Sequence, residues 1–413
     1  MAKSSEFFNV QPIETVLGTL FANWQPELKT ESIDPRQALG RVLATAAHSP
    51  IALPQFVRGT MDGYAVRAAD TFGASQSLPA YLTVVGEVMM GTVAEIEVKQ
   101  GQATISHTGG MLPQGADAVV MVERTQQISD TEIEVLAAVA PGENLIQIGE
   151  DVEVSDEILP AGHCIRPQDI GGLLAVGVLS VDVTVAPRVG ILSSGDELIP
   201  PEQIPEPGQI VDINAHTLAA LIKEAGGEPV LLGISSDKLE DYQQRANDGF
   251  AATDMLIMTA GSSVSARDLT GQVINNLGEP GVLQHGLAVR PGKPTIIAVC
   301  NDKPVIGLPG NPVSAFMVSR QIVIPTVKRL LDQKTKLTPL LTATLAANIA
   351  SITGRFDSIP VRLVERENEL MAEPVFGKSN LIYTLINADG FVTVPLNSNG
   401  LKAGEPVDVQ LFD

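Results

Sequence analysis

Cysteine is nearly missing from this chain: Cys164 and Cys300 are the only two among 413 residues, in no pairing or metal-ligand spacing. That excludes a disulfide framework and a cysteine-bound zinc site, and the expected setting is the reducing cytoplasm. Basic residues are scarce too, with 27 Lys and Arg against 48 Asp and Glu and a formal net charge of −21. A nucleic-acid or anionic-membrane surface needs a basic patch, so neither partner is expected. No apolar run reaches the roughly 18 residues of a membrane span. The opening MAKSSEFFNVQPIE has no apolar signal core, so export is not expected. The five histidines are scattered, with no HxH or HExxH, which removes a histidine-bound zinc. G-x-S-x-G, Walker A and G-x-G-x-x-G are missing as well, so a dinucleotide dehydrogenase is the weakest of the enzyme readings.

What is present describes a globular protein, 44% hydrophobic and 18% charged, long enough for about two to four domains. Residues 1–52 together with 143–185 read as one N-terminal region. Helices are expected around 11–24 and 34–47, the second with Asp34 as N-cap, Pro35 in the first turn, and Leu39, Val42 and Leu43 at helical spacing. Residues 53–142 change to short β-like runs broken by Gly and Pro, among them TMDGYAVRAAD and GADAVVMVE, and read as an inserted β-rich domain. From 186 to 332 strands such as RVGIL, EPVLLG, DMLIMTAG, KPTIIAV and PVIGL alternate with helices. One helix is capped by Asn214, and NPVSAFMVSRQIVIPTVKRLL closes the series. This is the pattern of a doubly wound, mostly parallel α/β domain. Residues 337–413 show short strands and turns, as in a small β-barrel or sandwich. The fold class is multidomain, α+β and α/β.

In open α/β sheets, ligands bind beyond the carboxyl ends of the strands. Four loops are expected at that edge. They are SSGDEL with Ser194, Gly195, Asp196 and Glu197, then ISSD with Asp237. AGSSVSARD brings Ser262, Ser263, Ser265 and Asp268, and GLPGNP brings Gly310, Asn311 and Pro312. Exposed amides at the last loop, a helix start with Asn311 as cap, suit a phosphate or similar anion, though the same residues make an ordinary tight turn. Three of the acidic residues have a plain alternative. Ser265 and Asp268 are spaced as a capping box, Asp237 suits a first helical turn under Ser236, and Asp62 before Gly63 suits a turn. In RPGKP, Arg290 and Lys293 supply cations that grip a tetrahedral oxyanion or are solvated loop charges. His107, beside Thr108 in SHTGG, is the histidine expected nearest a ligand.

MDGYAVR (61–67), HTGG and GADAVVMVE (107–110 and 115–123), GEDV (149–152), SSGDEL (193–198), RPGKP (290–294) and GLPGNPVSA (307–315) together resemble the molybdopterin molybdenumtransferase family, the MoeA and gephyrin E-domain proteins. The resemblance runs along nearly the whole chain. It implies an elongated N-terminal part with an inserted β-domain, a MogA-like domain that binds molybdopterin, and a C-terminal β-barrel. It further implies a homodimer whose cleft joins the α/β domain of one subunit to the N-terminal domains of the other. The implied reaction consumes adenylylated molybdopterin and molybdate, releases AMP and leaves molybdenum on the dithiolene, with Mg²⁺ assisting. Asp62, Asp151, Glu197, Asp237 and Asp268 are then the acidic set, the last three on the metal. Arg290, Lys293, Ser194, Gly195, Ser262, Ser263, Ser265, Gly310, Asn311 and Pro312 surround the anionic substrate, and Thr108 adds a hydroxyl. Transient contact with a MogA-like adenylyltransferase and acceptor molybdoenzymes is implied as well. Two departures stand out: TAGSSVSARD replaces the commoner TSGGVSVGD type, and Arg290 stands where Lys is commoner. A CinA-like nucleotide pyrophosphatase and a non-catalytic scaffold are the alternatives; MDGYAVR and the C-terminal β-domain speak against the first, the retained carboxylates against the second.

Overall fold

A computed structural model of the chain describes residues 10–261, 264–334 and 339–412. Its largest sheet has six strands in the order Glu228–Ser235, Arg188–Ser194, Met255–Ala260, Lys303–Pro309, Ile296–Cys300, Pro280–His285. The first four are parallel and the next pairings antiparallel, so the sheet is mixed at one side only. The central strand Met255–Ala260 is buried along its whole length, as an apolar run must be when helices cover both faces. One face packs Leu218 and Ile222 of the helix Asn214–Glu224 with Ile322 and Val327 of the closing helical stretch. The other packs Tyr242 and Ala246 with Val273 and Ile274. Each fully buried Leu, Ile or Val contributes about 1.5–3 kcal/mol, so these two layers hold the domain.

The opening helix, Ile13–Ala22, forms as the spacing requires, and Val16 and Leu20, followed by Trp24, bury against the α/β core. The closing helix is not continuous: Pro312–Val318 and Ile324–Leu330 flank a π-turn at Ser319–Val323. Pro325 accounts for the break, because it has no N–H for the helical ladder and its ring crowds the preceding turn; a wider turn accommodates both.

The second expected helix, 34–47, does not form. Asp34 does accept the Arg36 amide at 2.8 Å, but the result is one 3₁₀ turn, Pro35–Gln37. Gly40 then takes a positive φ of 75°, and the chain runs extended, with Leu43 N donating to His163 O and Ile165 N to Arg41 O. The reason lies in the cores: Val42 faces the α/β core and its neighbour Leu43 faces a separate cluster with Ile165, Leu173 and Val183. Adjacent side chains point to opposite sides in an extended chain, not in a helix. That cluster is closed by the strand Val181–Thr184, which returns to pair antiparallel with Thr30–Ile33.

Between these segments lies a second six-stranded sheet, in the order Ala118–Met121, Gly63–Val66, Gln102–Ser106, Ala80–Glu87, Glu132–Val135, Thr125–Ser129, with its own core of Val66, Leu82, Val120 and Ile133. At the C-terminal end, Phe356–Arg366, Glu369–Pro374, Leu341–Leu345, Pro406–Leu411 and Gly390–Val394 pair in succession. The first also pairs with the last, closing a five-stranded barrel. Val289–Arg290 of the α/β region adds to that barrel, in parallel with Phe356 and Asp357, and so carries RPGKP to the junction of the two.

Candidate active site

The strand ends meet as an open α/β sheet predicts. Ser194 Oγ donates to Asp237 Oδ1 at 2.9 Å, and Asp237 N donates to Asp196 Oδ1 at 3.1 Å, so the SSGDEL and ISSD loops are joined. Glu197 curls back over Gly195, where a Cβ would lie 2.7 Å from its Oε2. Asp237 is not a first-turn carboxylate: the helix starts at Leu239, and Asp241 holds Ser236 instead. Thr259 Oγ1 donates to Ser193 Oγ at 3.2 Å, tying the third strand to the first. Ser262 and Ser263 lie outside the described residues. The helix Val264–Asn275 starts before Ser265, so Ser265 does not occupy the N-cap position of a capping box, and Asp268 is exposed on its second turn.

The GLPGNP loop lies against the third loop, with a Cβ at Gly310 only 2.8 Å from Ala260 O. Its side chains do something other than cap. Asn311 has no capping bond and donates through Nδ2 to Ser379 Oγ at 3.0 Å, while Val313 N donates to Ser379 O. Asn214 does not cap its helix either. It donates to Gly310 O at 2.8 Å, and Asp212 Oδ1 accepts from Ala215 N in its place. The loop is thus clamped from the α/β side by Asn214 and from the barrel side by Ser379. Pro312 occupies the first helical position, as expected.

Beside this clamp a cleft of about 1120 Å³ opens between the α/β domain and the barrel. Arg290, Lys293, Arg355 and Lys378 line it, with no Asp or Glu among the described residues that do. In a chain of net charge −21, such a cationic concavity is selective for anions. Arg355, Lys378 and Ser379 were not found from the sequence; the signal was there in GR (354–355) and GKS (377–379), basic residues at glycine turns of an otherwise acidic chain.

Asp62 and Asp151 are elsewhere, and the strand-end residues Ser194, Gly195, Glu197, Asp237 and Asp268 do not line the cleft either: none of the described residues between 11 and 286 does. Asp62 Oδ1 accepts from Thr108 N at 2.8 Å and from Thr108 Oγ1 at 3.0 Å. These two bonds hold its carboxyl below the usual range, and nearby His107 adds to the effect. Gly63 is not a turn glycine; it sits in a strand where a Cβ would be 1.9 Å from Val120 O. Asp151 is exposed, its amide donating to Leu53 O at 3.1 Å. His107 pairs with Glu87 at 2.7 Å. Among the described residues no three His, Cys, Asp or Glu side chains converge as a metal cage. That suits Mg²⁺ only in its usual protein setting, where one or two carboxylates act together with substrate phosphates.

A mixed α/β domain with clustered strand-end carboxylates, an inserted β-sheet and a closing barrel beside a cationic cleft define a multidomain protein with a concavity suited to anionic small molecules. Family comparison makes this specific. Residues 11–177 match the MoeA N-terminal region (domain I and II), 190–329 a probable molybdopterin binding domain, and 342–412 the MoeA C-terminal region (domain IV). The chain belongs to the MoeA family. The molybdopterin molybdenumtransferase of Bacillus subtilis is 32% identical over 94% of this chain and 91% of its own length. That of Haemophilus influenzae is 30% identical over 93% and 94%. A crystal structure of the molybdopterin biosynthesis MoeA protein from Pyrococcus horikoshii OT3 superimposes with a TM-score of 0.86 at 31% identity, covering 98% of this chain and 100% of that one.

Proposed function

We propose that this chain is a transferase of molybdenum cofactor biosynthesis that inserts molybdate into adenylylated molybdopterin. The observation that carries the reading is the cleft, lined among the described residues by four cations and no carboxylate within an acidic chain, together with the family's names. Molybdate and the substrate phosphates are anions, so Arg290, Lys293 and Arg355 hold them, with arginine supplying paired donors. Amides of the clamped Gly310–Asn311 loop add further donors. Glu197, Asp237 and Asp268, with Ser194 and Gly195, are the residues we assign to Mg²⁺, one or two of the carboxylates holding it together with substrate phosphate; when bound it would offset charge on the departing phosphate. Asp62, kept ionised by Thr108, and Asp151 act on water or metal. They join the cleft from a second copy of the chain, in a homodimer. The division into 1–52 with 143–185, 53–142, 186–332 and 337–413 follows the same reading, as do a cytoplasmic setting and transient contact with an adenylyltransferase and acceptor enzymes.

The test is incubation with adenylylated molybdopterin and Mg²⁺, with and without molybdate, scoring AMP and pterin-bound molybdenum. AMP release that requires molybdate, matched by bound molybdenum, is expected. AMP release regardless of molybdate would make the chain a pyrophosphatase; neither product from folded, dimeric protein would make it a scaffold.

A further inference from the structure

Among the described residues, Asp357 is an acidic group that meets two cations of the cleft, Arg290 and Arg355, from behind. Its side chain is 0% exposed. Arg355 donates to it through Nε at 2.7 Å and Nη2 at 3.2 Å, and Arg290 Nη1 approaches its Oδ2 at 3.6 Å. The backbone brings all three together: Arg290 pairs with Asp357 where Val289–Arg290 joins the barrel, and Asp357 pairs on its far side with Val394. Both arginines line the cleft. A carboxylate buried this fully is costly unless its partners are fixed, and here the partners are two guanidinium groups from different domains.

From this geometry we infer that Asp357 is the positioning residue for oxyanion recognition, holding Arg355 and Arg290 in register so that their remaining donors face the cleft. The inference rests on the cleft being the oxyanion site. With Nε and one Nη bound to Asp357, Arg355 keeps about three of its five N–H donors for a ligand, in a plane set by the carboxylate. Two cations on one carboxylate leave a net positive charge, so Asp357 organises the site without neutralising it.

Two accounts of Asp357 predict opposite signs. If it only contributed charge, removing that charge would tighten anion binding, since a negative group would leave the site. If it positions the arginines, Asp357→Asn weakens binding although the site becomes more positive.

The experiment is calorimetric titration of molybdate into the full chain and its variants, each well below its melting temperature. We expect Asp357→Asn to bind about tenfold more weakly than wild type, and to have a clearly smaller further effect in an Arg355→Met background, because both hydrogen bonds run to that arginine and only the longer Arg290 contact remains. Binding by Asp357→Asn equal to or tighter than wild type, while Arg290→Ala binds weakly, would overturn the positioning role alone. Wild-type binding that is indifferent to both Arg290→Ala and Lys293→Ala would overturn the oxyanion cleft itself. If the Asn variant does not fold, Asp357→Glu carries the same test: it keeps the charge but moves the carboxylate outward by one methylene. Loss of affinity is then expected, and wild-type affinity would contradict the role.

Discussion

A methyl group added at Gly310 would bring its carbon within 2.8 Å of the Ala260 carbonyl oxygen and 3.4 Å of Gly261 Cα. Both neighbours are backbone, so neither can swing aside. Gly310→Ala should therefore cost about 1–3 kcal/mol and separate the two loops that flank the anion site, which a denaturant titration against wild type checks. An unchanged midpoint would mean the loops are not packed as described. The same logic shows what single residues reveal before folding. That GLPGNP is a turn is written in its glycines and prolines. The residue that closes on it is not, because Ala260 is remote in sequence and ordinary in type. Arg290 and Lys293 could be read as an anion grip from RPGKP alone. Arg355 could not, since its significance depends on the strand pairing that sets Asp357 beside Arg290.

At the scale of elements, the helix Pro167–Ala175 shows how a short segment is fixed. Asp169 is buried and lies within hydrogen-bond reach of Arg166 N, Arg166 Nη2 and His163 Nε2 at 2.6–2.8 Å. Burial alone would raise its pKa, but the bonds from Arg166 and His163 outweigh it and hold the carboxyl well below its ordinary 3.8. A depressed carboxylate pKa contributes stability that is full above the unfolded value and is lost as pH falls below it toward the folded one. Acid unfolding of the wild type should thus steepen below about pH 4. Asp169→Asn should lose about 3 kcal/mol at neutral pH and show a flatter profile in that acid window. Equal stability of the two at neutral pH would contradict the assignment. Elements with one strong period were legible: the strands at 188–194, 255–260 and 303–309 read directly as continuous apolar runs. The segment 34–47 was not, because Val42 and Leu43 serve two cores and their spacing fits a helix by coincidence.

Considered whole, the molecule separates its charges. A chain of net −21 gathers Arg290, Lys293, Arg355 and Lys378 at the junction of α/β domain and barrel, and has its Asp62–Thr108 pair on the inserted sheet. The order of β-rich, α/β and C-terminal β segments was legible in the sequence because each has its own periodicity and the motifs follow in series. The cationic cleft was not, because it exists only where two domains meet. In the proposed homodimer, catalysis needs both groups, each from a different copy. This sharing is tested most directly by mixing. Asp62→Asn and Lys293→Ala should each fold, dimerise and fail to insert molybdenum. Co-refolded in equal amounts, half the dimers are mixed and each mixed dimer holds one intact site, so about a quarter of wild-type molybdate-dependent AMP release should return. No recovery, from a mixture whose mixed dimers are confirmed by native mass spectrometry, would contradict the shared site.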